Sequence, residues 1–198
     1  SLNQAKKSFP RIEFDLVVVD YNSKSNDLDQ MKKQLNKTHF KNSVISLNIN
    51  EFRDKIKKIN AENKNVTVNQ ISNMSNIHKS FLIAKNQCKD LVYFVEDDYL
   101  HQKETMREMI FAYERIASQT NRELILCPAD YPYLYTKIDP TSIFLGSTKH
   151  WRVVEETLCT FLTSSNMLHK HWDKFISMCQ FEHKPFEQPL HDIYKLEY

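Results

Sequence analysis

The sequence predicts an α/β fold in which a mostly parallel central sheet carries helices on both faces. Apolar runs rich in β-branched residues alternate with segments of helical periodicity through the first two thirds of the chain. Regular strand–helix alternation is typical of parallel strands joined by crossover helices. The chain has 198 residues, of which 41% are hydrophobic. Because this length suits one domain with a core of its own, we expect a single domain over residues 1–198.

Six segments have the composition of buried strands. Each is a short run dominated by residues that fit the pleated surface of a sheet, chiefly Val, Ile, Leu, Phe and Thr. In chain order, the predicted strands are Phe14–Asp20, Ser43–Ile49, Asn65–Ile71, Leu91–Val95, Glu123–Asp130 and Thr157–Thr163.

Between these strands, apolar residues recur at the three- and four-residue spacing of a helix. The first helix is predicted to begin at Asn26 or Asp27 and the last at Ser164 or Ser165, because these side chains cap helix N-termini. The predicted helices are Asn26–Leu35, Asn50–Asn60, Ser75–Cys88, Gln102–Ala117 and Ser164–Cys179.

Three carboxylates, Glu96, Asp97 and Asp98, follow directly behind the predicted strand Leu91–Val95. They repel one another unless a cation or water separates their charges. Successive residues at a strand end point to opposite sides, so we expect Glu96 and Asp98 to face one way and Asp97 the other. Ligands of α/β sheets bind at such strand ends, and Mg²⁺ or Mn²⁺ needs only one or two carboxylates. A solvated acidic turn that caps the next helix is the alternative.

Residues 131–156 break the strand–helix alternation with aromatic residues, two prolines and the only glycine of the chain. Such irregular segments are typical of binding loops. Tyr131, Tyr133 and Tyr135 follow Asp130 and offer stacking surfaces and hydroxyls to a sugar. A packed proline–aromatic loop is the alternative.

The same irregular segment contains a cluster of cations around Trp151. Lys149, His150 and Arg152 have the charges that a diphosphate clamp needs. Scattered surface charges would give the same pattern, so both interpretations stay open.

Composition argues against several other classes of protein. A net charge of +2, from 27 basic and 25 acidic side chains, is too balanced for a nucleic-acid binder. We find no apolar run long enough to span a membrane and no signal-peptide pattern. The four cysteines are widely spaced and predict core thiols in a reducing compartment, hence a cytoplasmic protein. The end of the sequence carries no stop signal, so we expect a domain cut from a longer chain that contains further domains.

Three stretches together resemble a known group of enzymes. They are "LVVVDYNS", "SNIHKSFLIAKNQCKDLVYFVEDD" and "TFLTSSNMLHKHWDKF". Their order and spacing resemble the GT-A type of nucleotide-sugar-dependent glycosyltransferases, both the family-2 group and the N-acetylglucosaminyltransferase I-like group. "YFVEDD" is similar to the acidic motif that follows the fourth strand of these enzymes. The resemblance implies a Rossmann-like GT-A fold, a nucleotide-sugar donor and a glycan or other hydroxyl acceptor.

The resemblance also implies an Mn²⁺ or Mg²⁺ cofactor and assigns its ligands. Asp98 would be the main ligand, with Glu96 beside it. His191 would complete the metal shell, as a late histidine does in some of these enzymes, although a surface histidine would look the same. Asp97 and Glu96 would also act on the nucleotide directly or through metal-bound water.

The same resemblance places the donor nucleotide between the end of the first strand and the helix before the acidic motif. Asp20, Tyr21 and Asn22 would contact the base or ribose, and His78 and Lys79 the ribose or phosphates. The chain departs from the family-2 pattern in this helix, which lacks the usual glycines and Arg-Asn pair.

An inverting transfer needs a carboxylate close to the acceptor hydroxyl, on the side away from the metal-bound diphosphate. The resemblance places this general base late in the domain, where Glu187 and Asp192 are the available acids. We predict Glu187 as the base and Asp192 as the second candidate. A structural acid at a helix N-terminus is the alternative interpretation of Glu187.

Taken together, the sequence predicts a metal-dependent glycosyltransferase that is inverting. Two alternatives remain from the residues themselves. One is a Mg²⁺-dependent nucleotidyl- or phosphotransferase, which would need a phosphate-binding glycine loop that a chain with one glycine cannot supply, or a nucleophilic aspartate. The other is a non-catalytic sugar-binding module of a glycan-assembly protein.

Overall fold

The computed structural model describes residues 1–21, 23–52, 54, 57–58, 61, 67–136, 138, 140–179 and 187–197. These residues form a mixed α/β fold. The helices are α1 (Leu2–Ser8), α2 (Ser25–Leu35), α3 (Val68–Gln87), α4 (Thr105–Thr120), α5 (Ser165–Lys170), α6 (Trp172–Ser177) and α7 (Gln188–Glu197). The strands are β1 (Asp15–Asp20), β2 (Lys41–Ser46), β3 (Leu91–Phe94), β4 (Ile125–Leu126), β5 (Ile143–Leu145), β6 (His150–Arg152) and β7 (Phe161–Ser164). Short 3₁₀ helices cover Ile49–Phe52 and Pro132–Tyr135.

Strands β1 and β2 form the parallel pair that the sequence predicts. Asp15 lies opposite Lys41 at one end and Asp20 opposite Ser46 at the other. Helix α2 joins the two strands, because parallel neighbours need a crossover connection.

A second sheet has the strand order β3–β7–β4, and its central strand β7 is antiparallel to both neighbours. Between β4 and β7, the described residues form a 3₁₀ helix and the β5–β6 hairpin in place of a crossover helix. Strand β7 therefore returns against β3 and β4. The expected, mostly parallel central sheet is not seen among the described strands, which form one parallel pair, this three-stranded sheet and the hairpin.

The β3–β7–β4 sheet is covered by helices on both faces. Side chains alternate along its strands, so Val92, Phe94 and Phe161 join one hydrophobic cluster while Tyr93 and Leu162 join another. Helices α3, α5, α6 and α7 close the first cluster, and α1 and α4 close the second. This arrangement holds the carboxyl end of β3 between two packed layers.

The predicted third strand is wrong over its described residues. Helix α3 begins after Thr67, whose hydroxyl accepts a hydrogen bond from the Gln70 backbone N–H at 3.2 Å. The Gln70 side chain accepts one in return from the Thr67 N–H at 2.8 Å. This reciprocal capping box outweighs the β-branched composition of the segment. Residues 65–66, and five of the eleven residues of the predicted helix Asn50–Asn60, lie outside the described ranges.

Several predicted helix boundaries differ from the structure. Helix α3 begins at Val68 rather than Ser75, and α4 covers Thr105–Thr120 rather than Gln102–Ala117. Helix α2 begins after Lys24 rather than at Asn26 or Asp27, and Lys24 makes no side-chain cap. The predicted helix Ser164–Cys179 is capped at Ser164, as expected, but it breaks into α5 and α6 at His171.

The β5–β6 hairpin, which the sequence did not predict, is held to helix α4 by one buried carboxylate. Glu108 is only 4% exposed. It accepts hydrogen bonds from the N–H groups of Ser147 (2.9 Å) and Thr148 (2.8 Å), the Thr148 hydroxyl (2.8 Å) and the Trp151 indole (3.3 Å). A Cβ at Gly146 would lie 2.1 Å from Glu108 Oε1. The close approach of the hairpin to Glu108 therefore requires glycine at this position.

Two predictions from composition concern thiols and membranes. All four cysteines are free, and Cys159 and Cys179 are buried in the core as expected. Within the described ranges, no helix is both long and apolar enough to cross a lipid bilayer.

Candidate functional site

The acidic motif lies at the carboxyl end of β3, where the sequence places it. The strand ends at Phe94, and Asp97 and Asp98 form an exposed turn, whereas Glu96 is half-buried. The Glu96 backbone N–H donates a hydrogen bond to the Thr160 hydroxyl at 3.2 Å, and the same hydroxyl lies 3.5 Å from the Glu96 carboxylate. Thr160 is fully buried directly before β7, so it fixes the start of the motif.

Glu96 lies in surroundings that disfavour its charge. Burial raises its pKa most, and the charges of Asp98, Glu187 and Asp97 raise it further. The Thr160 hydroxyl offsets this only in part. Asp97 and Asp98 lie in a turn beyond the strand, so the expectation that Glu96 and Asp98 face the same side stays a prediction.

Glu187, the predicted general base, comes to this motif from the other end of the chain. It stands directly before α7, and its carbonyl accepts hydrogen bonds from the N–H groups of Leu190 (2.8 Å) and His191 (3.1 Å). Leu190 is fully buried and anchors the start of the helix. Burial raises the pKa of the Cys159 thiol, and the charges of Glu187 and then Glu96 raise it further. The charges of carboxylates from two distant segments therefore act on this thiol.

The other late candidates have local partners. The Asp192 carboxylate accepts a hydrogen bond from Gln188 Nε2 at 3.0 Å and lies 3.9 Å from Lys174 Nζ. His191 Nε2 lies 2.9 Å from the Thr157 carbonyl and 3.2 Å from its backbone nitrogen. Their assigned roles as second base and metal ligand therefore stay predictions.

Tyrosines line the space beside the acidic motif. The hydroxyls of Tyr99 and Tyr131 lie 2.6 Å apart, and the Tyr131 ring stacks on the Tyr133 ring with centroids 5.8 Å apart and planes at 21°. Tyr133 is 47% exposed. Burial raises the pKa of Tyr133, and the charges of Glu156 and Glu187 also raise it. Tyr99, Tyr131 and Tyr133 thus form a connected group of side chains, and the charges of Glu156 and Glu187 act on its member Tyr133.

The predicted diphosphate clamp has one cation that is already engaged. Arg152 Nη2 binds the Asp130 carboxylate at 3.0 Å, and the guanidinium lies 4.9 Å from the Tyr135 ring centre. The Tyr135 hydroxyl donates to the same carboxylate. Lys149 and His150 are exposed on the β5–β6 hairpin, where they remain candidates for phosphate contacts.

Asp20, a predicted nucleotide contact at the end of β1, shapes the following loop. It is 7% exposed and accepts hydrogen bonds from the hydroxyl and backbone N–H of Ser23. Tyr21 beside it is half-buried, and Asn22 lies outside the described residues.

His78 and Lys79 lie on helix α3, which packs against β1. The His78 ring meets the Phe52 ring edge-on at 6.3 Å, and Lys79 is half-buried. The packing of α3 on β1 puts these two residues on an element that adjoins the predicted nucleotide strand. Their contacts with a donor remain a prediction.

The acidic motif supplies some of the oxygen ligands that a hard cation needs. Among the described residues, no group of three or more His, Cys, Asp or Glu side chains is arranged to hold a metal ion. Mg²⁺ and Mn²⁺ need fewer protein ligands when they arrive with phosphates and water. The assignment of Glu96 and Asp98 as ligands of a cation that is delivered with a nucleoside diphosphate therefore stays a prediction.

A separate cleft of about 360 Å³ lies at the opposite edge of the β3–β7–β4 sheet. Lys89, Asp90, Arg122, Glu123 and Asn166 contribute its polar lining. Of these, Glu123 accepts hydrogen bonds from Tyr113 and Asn166. The cleft is larger than a water site. It combines charges of both signs, and it lies away from every predicted site residue.

Sequence reasoning missed three residues that shape the site. Thr160 lies within the predicted strand Thr157–Thr163, and its role depends on a contact with Glu96 that only the fold creates. Tyr99 follows the acidic motif directly, and this position in the sequence was the one signal that could have identified it. In the sequence, Glu108 could not be distinguished from any other acid in the first turn of a helix.

No protein family matches this chain, and neither a curated protein nor a solved structure is significantly similar to it. A functional assignment therefore depends on the sequence and on the geometry described above, and not on a known relative.

Proposed function

We propose that this chain is a metal-dependent glycosyltransferase domain of the GT-A type. It would move a sugar from a nucleotide-diphosphate donor to a hydroxyl of a glycan, with inversion. One observation supports this most strongly. Burial raises the pKa of Glu96 most, and the charges of Asp98 in the same motif and of Glu187 from the distant start of α7 raise it further. A divalent cation with a bound diphosphate would offset such unfavourable charge.

In this proposal, Asp98 is the main metal ligand, with Glu96 beside it and His191 as a third candidate. Bound there, Mn²⁺ or Mg²⁺ would act as a Lewis acid toward the departing diphosphate. Thr160 holds the Glu96 main chain in place through the 3.2 Å hydrogen bond. The chain thereby orients one ligand before the donor arrives.

Glu187 is the proposed general base. It approaches the motif from the start of α7, whereas the metal ligands stand at the end of β3. A base that comes from a different element can reach the acceptor hydroxyl from its own side. Its charge is one of those that raise the pKa of Glu96, after burial and the charge of Asp98.

A non-catalytic sugar-binding module is the second candidate, and the exposed Tyr133 ring favours it. Such a module would bind a saccharide without turnover. A nucleotidyl- or phosphotransferase has less support, because Gly146, the only glycine, is already required by the contact with Glu108.

Isothermal titration calorimetry of nucleoside diphosphates, with and without Mn²⁺, tests the proposal. We expect the wild type to bind at least one diphosphate in an Mn²⁺-dependent way, and Asp98→Asn to abolish that dependence while the protein stays folded. Asp90→Asn is the matched control, because Asp90 is an exposed acid at the opposite edge of the sheet. Unchanged affinity in Asp98→Asn would contradict the metal assignment, and diphosphate bound in the cleft beside Asp90 would contradict the site.

A further inference from the structure

We propose that the exposed ring of Tyr133 is a stacking platform for a pyranose, so that this chain binds a saccharide beside its carboxylates. The inference rests on the proposed function where it makes this saccharide the acceptor. Saccharide binding itself does not depend on transfer.

The platform is held in place from behind. Tyr131 is fixed by the Tyr99 hydroxyl at 2.6 Å and lies 3.9 Å from the Cys127 sulfur. The Tyr133 ring stacks on Tyr131 in a nearly parallel arrangement, yet 47% of Tyr133 stays exposed. A ring that is already ordered loses little conformational entropy when a ligand covers its outer face.

The surroundings of Tyr133 suit a neutral, hydroxyl-rich ligand. Glu156 and Glu187 are close enough for their charges to act on the Tyr133 hydroxyl. Carboxylates accept hydrogen bonds from sugar hydroxyls, while the aromatic face packs against apolar C–H groups of the sugar ring. An anionic ligand would be repelled by the same two acids. A flat ring beside acceptors therefore selects a pyranose.

The neighbouring Tyr135 has a different task. Its ring covers the Arg152 guanidinium and its hydroxyl donates to Asp130. These contacts tie the end of the 3₁₀ helix Pro132–Tyr135 to β6 and stabilise the segment that carries Tyr133. Tyr135 is 66% exposed but lies against a cation, whereas Tyr133 is backed by the Tyr131 ring, which makes Tyr133 the better platform for a neutral ligand.

Saturation-transfer difference NMR tests the platform without nucleotide or metal. The probes are methyl β-glucopyranoside, methyl β-galactopyranoside, N,N′-diacetylchitobiose and maltotriose. We expect at least one to bind, with the strongest transfer to C–H protons on one ring face. Tyr133→Ala should weaken that binding by up to about tenfold, whereas Tyr133→Phe keeps the ring and should retain it. Leu145→Ala, which truncates an exposed apolar side chain on β5, is the matched control and should bind normally.

Failure of every probe to bind the wild type would overturn the inference, as would wild-type affinity in Tyr133→Ala. The calorimetry of Asp98 separates this result from the proposed function. Saccharide binding without Mn²⁺-dependent diphosphate binding would keep the platform and reject the transferase. Diphosphate binding without saccharide binding would do the reverse.

Discussion

Two glutamates on either side of the β3–α4 connection show how differently this fold treats the same side chain. Glu108 is almost fully buried, yet hydrogen bonds from Thr148, Trp151 and Ser147 outweigh the effect of its burial and lower its pKa. Glu96 is less buried, but burial and neighbouring carboxylates raise its pKa. Donors to the Glu108 carboxylate, and burial with neighbouring carboxylates at Glu96, therefore shift the two pKa values in opposite directions.

The comparison separates a carboxylate that serves the fold from the carboxylates that we propose to bind a ligand. The Glu108 carboxylate accepts hydrogen bonds from the β5–β6 hairpin and anchors it. Its charge is therefore already stabilised within the chain. At Glu96, burial and the charges of Asp98 and Glu187 outweigh the Thr160 hydroxyl, so its charge costs stability. Proteins retain such unfavourable arrangements mainly at functional sites. This contrast supports a ligand at the carboxyl end of β3.

The largest effect that would sharpen this contrast is on turnover. In Glu187→Gln we expect kcat to fall by roughly 10²–10⁴-fold, because the amide cannot accept the proton of the acceptor hydroxyl. Donor and Mn²⁺ binding should stay nearly intact. Steady-state kinetics of sugar transfer, together with calorimetry of donor binding, measure both quantities.

Asp192→Asn is the control, since Asp192 has Gln188 and Lys174 as partners. We expect a much smaller loss of turnover in this variant. Wild-type turnover with collapsed donor affinity in Glu187→Gln would place Glu187 in the donor site instead, and the base would then be sought at Asp192, Asp130 or Glu156.

Replacing Glu108 tests the opposite half of the comparison. Glu108→Gln should lower the free energy of unfolding by about 2 kcal/mol, because an amide replaces an acceptor that several donors share. The lowered folded pKa gives a stabilisation that is fully present above the unfolded value near 4.5 and is lost as the pH falls through the folded value. Urea unfolding at several pH values measures both effects.

Glu104→Gln is the matched control for Glu108→Gln. Glu104 lies one turn earlier, and its side chain is 44% exposed and 3.9 Å from Arg107. An exposed pair of this kind contributes little, so we expect almost no change. Equal losses in the two variants would show that the hairpin contacts do not distinguish Glu108.

The sequence predicted the elements whose signals are local. The parallel pair β1–β2, the strand β3 and helix α4 follow from composition and periodicity. The third strand failed because the capping pair Thr67 and Gln70 decided that segment. The parallel central sheet failed because the direction of β7 depends on what connects it to β4, and the predicted irregular segment 131–156 already lacked a crossover helix.

The site shows the same division. The acidic motif is contiguous in sequence and could be found by reading it, and Glu187 was placed nearby through the resemblance. The contact between Thr160 and Glu96 joins residues that are remote in the sequence, so no local pattern reveals it. The identity of the satisfied carboxylate, Glu108, depends on a hairpin turn whose donors face it only after folding.

The smallest expected effect is the most direct test of the comparison. It applies the Glu→Gln substitution to Glu96 instead of Glu108, and the expected change in the free energy of unfolding has the opposite sign. Glu96→Gln should raise the free energy of unfolding by about 0.5 kcal/mol at neutral pH, since it removes a charge that Asp98 and Glu187 repel, and solvent screening keeps the gain small. Because the folded pKa of Glu96 is raised, wild-type stability is favoured below the unfolded value and declines as the pH rises through the folded value. The difference between the two proteins should therefore vanish in acid.

Adding Mn²⁺ with a nucleoside diphosphate should reverse this order, because only the wild-type carboxylate can then bind the cation, and ligand binding stabilises the folded state. Differential scanning calorimetry of both proteins, with and without the ligands, measures the reversal, and Glu155→Gln at an exposed acid is the control. A Glu96→Gln variant that is less stable than the wild type without ligands would show that Glu96, like Glu108, serves the fold, and the contrast between the two glutamates would no longer support a site.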